Sequence, residues 1–462
     1  MNTTGKSRRQ IAFPHVMLIM IGLIVVLSIL SYIVPAGLYD TDPATGSVIP
    51  SSFHFVEQNP ISPLDALFML YDGITQSGAM FALIMVMGGM INMIISTKAV
   101  ERIIDYALYR LKDKGLTVLV PIIMVLIALM GTLAGNDAMI TFIIIGLVLA
   151  KRMNLDRIAA MSIFYLPYIT GQMVGPTTVI LVMVHEDCGL PTLAGLGVRV
   201  VLWVCVTAFC IFYTMRYCKK LLQDPKNSIL GEIERNDGDA AGFAEAELRV
   251  SDVLSASFML IPFLLYGIGT AAFGWGLSEL VGFALAACVI VAFLNHWSPN
   301  EFAQRFMSGA GEMGGVCMLV GFGRVAGMVL SQSCIINTIS YGAVQLIDGL
   351  GTAGSAVGMF VFTTLFNFLM PNGLAKIPIL MPLFIPVGDV LGITRQVLAM
   401  CYQLGDGLTN FLTPMSTVLA SGLMIANVNY GKWIKYILPY ALALLVFNGV
   451  VITVLQMVSW GV

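Results

Sequence analysis

Three ionisable residues stand where an otherwise apolar chain should not carry charge: Asp137 in Gly135-Asn136-Asp137, Asp406 in Gly405-Asp-Gly-Leu-Thr-Asn410, and Lys376 in Pro371-Asn-Gly-Leu-Ala-Lys376. A charge at membrane depth is costly and marks an ion or substrate path. A carboxylate among small hydroxyl and amide residues suits a cation or a carried proton. An amine a few residues past a sharp break suits the carboxylate of a substrate. The expected substrate-binding residues are therefore Asn136, Asp137, Thr177, Thr178, Asn372, Gly373, Lys376, Asn410, Thr413, Ser416 and Thr417. The expected ion-coupling residues are Asp137, Thr170, Gly175, Asp406, Thr409 and Asn410, with Na⁺ or H⁺ as the coupling ion, no resident cofactor and no bound metal. Arg324 lies among glycines and apolar residues, where pairing with Asp406 or Glu312 would lower its cost. His185 and His296 are assigned no role.

These residues need a frame of membrane helices. The 462 residues are 58% hydrophobic and 11% charged, too apolar to be clothed in a polar surface. A bilayer span needs about 20 apolar residues, and such stretches fill nearly the whole chain. Nothing supports nucleic-acid binding. The eight cysteines form no CxxC pair and read as small packing residues. No GK[ST] phosphate loop, HExxH or nucleophile elbow occurs, which points away from an ATP-driven pump and from an enzyme.

Basic residues set the expected orientation, because cytoplasmic loops carry the Lys and Arg excess. Lys6, Arg8 and Arg9 place the amino terminus inside, and the apolar run that follows is too long for a signal peptide. With that start, every Lys and Arg falls on the cytoplasmic side except Arg199 and Arg395, expected outside, and Arg324 and Lys376, expected within the membrane.

The expected fold is an all-α polytopic membrane protein made of two inverted repeats, each with a re-entrant hairpin and a discontinuous transmembrane helix. A first helix (1–35) and an extracytoplasmic segment (36–77) precede repeat 1 (78–217), with its hairpin at 116–150 and its discontinuous helix at 157–186. A cytoplasmic linker (218–250) leads to repeat 2 (251–430), with hairpin 352–388 and discontinuous helix 395–424, and then to a last helix (431–462). Within the discontinuous helices the non-helical stretches are expected at Thr170-Gly-Gln-Met-Val-Gly-Pro-Thr-Thr178 and at Gly405-Asp-Gly-Leu-Thr-Asn410. Gly88, Ile95, Ser96 and Val100 match Gly323, Leu330, Ser331 and Ile335, all at one constant offset.

Such a frame predicts a secondary transporter for a small carboxylate-bearing metabolite, an amino acid or a dicarboxylate, coupled to Na⁺ or H⁺ or run as an exchanger. The alternative is an inorganic cation/proton antiporter that uses Asp137 and Asp406 alone. The segments Ser31-Tyr-Ile-Val-Pro-Ala-Gly37, Leu391-Gly-Ile-Thr-Arg-Gln396, Gly405-Asp-Gly-Leu-Thr-Asn410 and Tyr430-Gly-Lys-Trp433 resemble the YfcC group of bacterial permeases. That group is related to the DcuC anaerobic dicarboxylate carriers and the arginine/ornithine antiporters of the ion-transporter superfamily. The resemblance implies a bacterial inner-membrane carrier, a scaffold domain that forms a homodimer, and a transport domain that moves as an elevator. Where the group's second tip reads Ser-Gly-Ser-Gly-Gln, this chain has Asn372-Gly-Leu-Ala-Lys376, and the added amine favours an anion or zwitterion.

Overall fold

In the computed structural model the described residues are 16–40, 49, 52–111, 116–133, 143, 146–147, 149–151, 153–231, 247–273, 275–347, 350–414 and 416–461. Asn136 and Asp137, with the tip of the first hairpin, lie outside them.

Eight helices among the described residues are long and apolar enough to cross a membrane. The only strands described, β1 (Gly37–Leu38) and β2 (His54–Phe55), form a two-residue antiparallel ribbon. The chain is an all-α polytopic membrane protein. It begins with α1 (Val16–Ile33), the short helices α2 (Pro63–Phe68) and α3 (Leu70–Gln76), and α4 (Gly78–Ser96). There follow α5 (Ala99–Leu111), α6 (Leu116–Leu133), α7 (Arg157–Val174), α8 (Val179–Asp187) and α9 (Leu196–Gln223). Two helices then follow, α10 (Val250–Ser257) and α11 (Ile261–Phe273).

Next come α12 (Leu277–Leu294) and α13 (Pro299–Glu312), a helix the apolar pattern does not reveal. Ser298 and Glu301 close a capping box at its start and Pro299 supplies the first-turn φ. The chain continues through α14 (Gly314–Gln332), α15 (Ile335–Ile347), α16 (Gly351–Leu369), α17 (Gly373–Val390), α18 (Arg395–Thr409), α19 (Thr417–Ile425) and α20 (Tyr430–Met457).

The two halves repeat each other element by element. Helices α4 and α14 both have 19 residues, α5 and α15 both 13, α8 and α19 both nine, and α9 and α20 both 28. Helices α7 and α18 end at Val174 and Thr409, a pair separated by the same offset that relates Gly88 to Gly323. Packing repeats as well: α6 lies on α7 and α9 as α16 lies on α18 and α20. The halves join most extensively where α12 and α13 pack against α4, and also where α18 packs against α7 and α8 and α17 against α8.

The discontinuities lie further along the chain than the polar stretches that announce them. In the first half the helix runs on through Thr170 and breaks only at 175–178. In the second, Gly405, Asp406, Gly407 and Thr409 are all helical and the described residues of the break are 410–414 and 416. The glycines serve contact rather than unwinding: a Cβ on Gly405 would lie 2.7 Å from Thr363 Cβ, and one on Gly407 would collide with Met173 Cβ. Pro414, which has no N–H to continue a helix, belongs to the true break.

Candidate functional site

Helix α16 ends before Pro371, and α17 restarts at Gly373 with the Asn372 side chain accepting from the Ala375 N–H at 3.0 Å. Lys376 thereby falls in the first turn of α17, the positive end of the helix dipole, where an ammonium is disfavoured. It is also fully buried. Asp406 of α18 answers both costs, with its Oδ1 at 2.6 Å from Lys376 Nζ. Its carboxylate also sits against the α17 N-terminus, since a Cβ on Gly373 would lie 2.8 and 2.9 Å from its two oxygens. Gly373 is thus needed for close approach. The same Cβ would be 2.5 Å from Ile180 Cδ1, so the starts of α17 and α8 meet here.

Asn367, in the last turn of α16, completes the cluster. Its Nδ2 donates to the Asp406 backbone carbonyl (2.6 Å), Thr409 Oγ1 (2.6 Å) and Asn410 Oδ1 (3.0 Å). A backbone carbonyl can only accept, so the amide orientation is fixed and Oδ1 accepts from the Lys376 ammonium. Tyr402 stands beside the amine, its ring centroid 5.9 Å from Nζ, and its hydroxyl donates to the Gly373 carbonyl at 2.5 Å.

One turn along α18, Gln403 Nε2 donates to the Gly175 carbonyl at the first break (2.7 Å), and its Oε1 accepts from Arg199 Nη1 (2.5 Å). Arg199, expected at the exterior, is buried: its other partners are His185 Nε2 at 3.2 Å, the Met400 sulfur at 3.9 Å and the face of Trp460. His185 Nδ1 is 2.8 Å from the Thr192 carbonyl, which fixes Nδ1 as the protonated nitrogen and Nε2 as the acceptor. Basic-residue counting cannot tell an exterior arginine from one that α8, α9 and α18 enclose. Arg324 pairs with Asp187, at 3.7 Å, and not with Asp406 or Glu312.

The carbonyls freed by the breaks are largely taken. Those of Asn410, Phe411 and Leu412 accept from Tyr165 (2.7 Å), Trp433 (3.0 Å) and Tyr430 (2.6 Å). Thr178 and Ser416 accept from the backbone N–H groups of Leu181 and Leu419, capping α8 and α19.

Of the residues expected to act, Asn372, Gly373, Lys376, Asp406, Thr409 and Asn410 come together. Gly175, Thr177 and Thr178 form the adjoining first break, and the Thr177 hydroxyl is buried with no hydrogen-bond partner among the described residues. Thr170 is elsewhere, its hydroxyl 3.3 Å from that of Tyr440. Thr413 reaches toward the Phe368 carbonyl at 3.5 Å, and the Thr417 side chain lies outside the described residues. No cluster of three or more His, Cys, Asp or Glu side chains among the described residues could hold a metal. The sequence reading missed Asn367, Tyr402 and Gln403. A lone amide four residues before Pro371 in an apolar arm was the signal for the first.

The DcuC family, described as C4-dicarboxylate anaerobic carrier, matches residues 13–457. The proposed basic amino acid antiporter YfcC of Escherichia coli (strain K12) is 25% identical, the alignment covering 99% of each chain. An uncharacterized protein of Haemophilus influenzae is 23% identical over 88% of this chain and 81% of its own. Among solved structures, the YdaH transporter of Alcanivorax borkumensis superposes with a TM-score of 0.71 at 18% identity, covering 97% of this chain and 99% of that one. MtrF of Neisseria gonorrhoeae, described within a class of antimetabolite efflux pumps, gives 0.64 at 14% identity, covering 96% and 95%. These two likenesses concern the fold alone.

Proposed function

The chain belongs to the DcuC family of membrane transporters, and from that premise we propose that it carries a small carboxylate-bearing metabolite, an amino acid or a dicarboxylate, across the bacterial inner membrane. The reading includes a cytoplasmic amino terminus, inverted repeats, coupling to an ion or exchange of one solute for another, elevator-type movement of the helices around the two breaks, and a homodimer. One observation carries it: the N-termini of α8 and α17 meet at Ile180 and Gly373, beside a buried amine and a buried unpartnered threonine hydroxyl. Helix N-termini present N–H groups and positive dipole ends to anions, and in carriers with broken helices such ends face the substrate carboxylate. The Lys376 ammonium on Asp406 weighs against an inorganic cation/proton antiporter, because the carboxylate such a mechanism needs is already engaged.

Counterflow into liposomes holding the purified chain, over a panel of amino acids and di- and tricarboxylates, tests the proposal. Saturable exchange of at least one carboxylate is expected, with a changed rate or affinity for Lys376→Ala. No organic solute moving across the panel would overturn it.

A further inference from the structure

The polar composition of the second break points to an exchangeable cation held by Asp406, Thr409, Asn410 and the carbonyls of the interruption. The residues present do not fit a Na⁺ there. A hard cation takes only oxygen ligands and needs several of them converging on one point. Here the Asp406 carboxylate already holds an ammonium at 2.6 Å. The side-chain oxygens of Thr409 and Asn410 face the Asn367 N–H donors. The carbonyls of Asn410, Phe411 and Leu412 accept from three aromatic donors, and the Gly175 carbonyl accepts from Gln403. The cation that does lie against Asp406 is Lys376 itself, fully buried, with the Asp406 carboxylate and Asn367 Oδ1 as its ligands.

We infer that Lys376 is a tethered cation standing where a coupling Na⁺ would otherwise bind, so that the second hairpin tip closes on α18 without Na⁺. The inference rests on reading this tip as the working site. An ammonium is a compact point charge with three donors on a flexible stem, and here the stem anchors it to the same helix start that an incoming carboxylate would approach. Coupling is then left to protons or to the exchanged solute.

Cutting the tether exposes the site. Lys376→Ala removes the amine and leaves the Asp406 carboxylate and Asn367 Oδ1 lining the space it filled, so that water entering that space can complete the oxygen shell of a small cation. The test is the thermal unfolding midpoint of the purified full chain, without organic solute, titrated with NaCl against KCl at matched ionic strength. For the natural sequence the two salts should give the same midpoint. Lys376→Ala should gain a saturable, Na⁺-specific rise of about 2 °C or more, absent from Lys376→Ala/Asp406→Asn. A Na⁺-specific rise in the natural sequence, or none in Lys376→Ala, would overturn the inference. Should Lys376→Ala fail to fold, the natural sequence still decides: its binding and uptake should be equal in Na⁺ and in choline, and a Na⁺ requirement would sink the idea. Because the midpoint is read without organic solute, a failure to transport carboxylates would not be mistaken for a failure of this inference.

Discussion

The two halves make the same contact with different chemistry. In the first, the Thr132 hydroxyl of α6 shares its proton between the Ala128 carbonyl at 3.1 Å and the Gly171 carbonyl at 3.2 Å and touches Gly175; in the second, Asn367 of α16 donates to the Asp406 carbonyl and to Asn410. Thr132 and Asn367, Gly171 and Asp406, and Gly175 and Asn410 are all related by the offset that relates Gly88 to Gly323. The first crossing is built for backbone contact: a Cβ on Gly131 would collide with the Tyr168 carbonyl oxygen, and one on Gly171 with that of Ala128. The second places a carboxylate at the position of Gly171 and meets it with an amine. A repeat can thus keep its geometry while one copy becomes a rigid seam and the other a charged site.

The largest effect expected from breaking this difference is at the charged copy. Lys376→Met or Asp406→Leu alone leaves a buried partner unmatched and should cost about 3–5 kcal/mol, whereas the double variant Lys376→Met/Asp406→Leu should recover most of the loss. Chemical unfolding in detergent gives the cycle, and strictly additive losses would mean the two residues do not form one unit. Gly171→Ala drives a methyl into a backbone carbonyl that cannot turn aside, and should cost about 1–3 kcal/mol in the same assay. A neutral result would remove the seam from the account. Smallest should be the matched caps of the two short helices. Thr178→Ala and Ser416→Ala should each lose about 1 kcal/mol, and a several-fold inequality would show that the halves differ beyond their charged residues.

The crossings and the polar interruptions were legible because long apolar runs and Pro- or Gly-marked breaks are local features. The exact break in the second half was not. Gly405 and Gly407 read as helix breakers but act as contact points for Thr363 and Met173, neighbours that only the folded chain supplies. Lys376 and Asp406 could each be picked out as functional, yet nothing local said that they neutralise each other from two separate helices. Arg199 could be assigned to the exterior side by counting, but nothing local said that Gln403 and His185 would enclose it. Helix α13 left a readable trace in Ser298-Pro-Asn-Glu301, overlooked because its faces are too polar to read as a crossing.

That the second break works and the first supports it is tested most directly by initial rates of carboxylate uptake into proteoliposomes. Asp406→Asn and Thr132→Ser would be compared with the natural sequence at equal inserted protein. Asp406→Asn should fall by about tenfold or more, the loss of roughly 1.4 kcal/mol of interaction at the site, while Thr132→Ser, which keeps its hydroxyl, should retain most of the rate. Equal uptake by Asp406→Asn and the natural sequence would contradict the account.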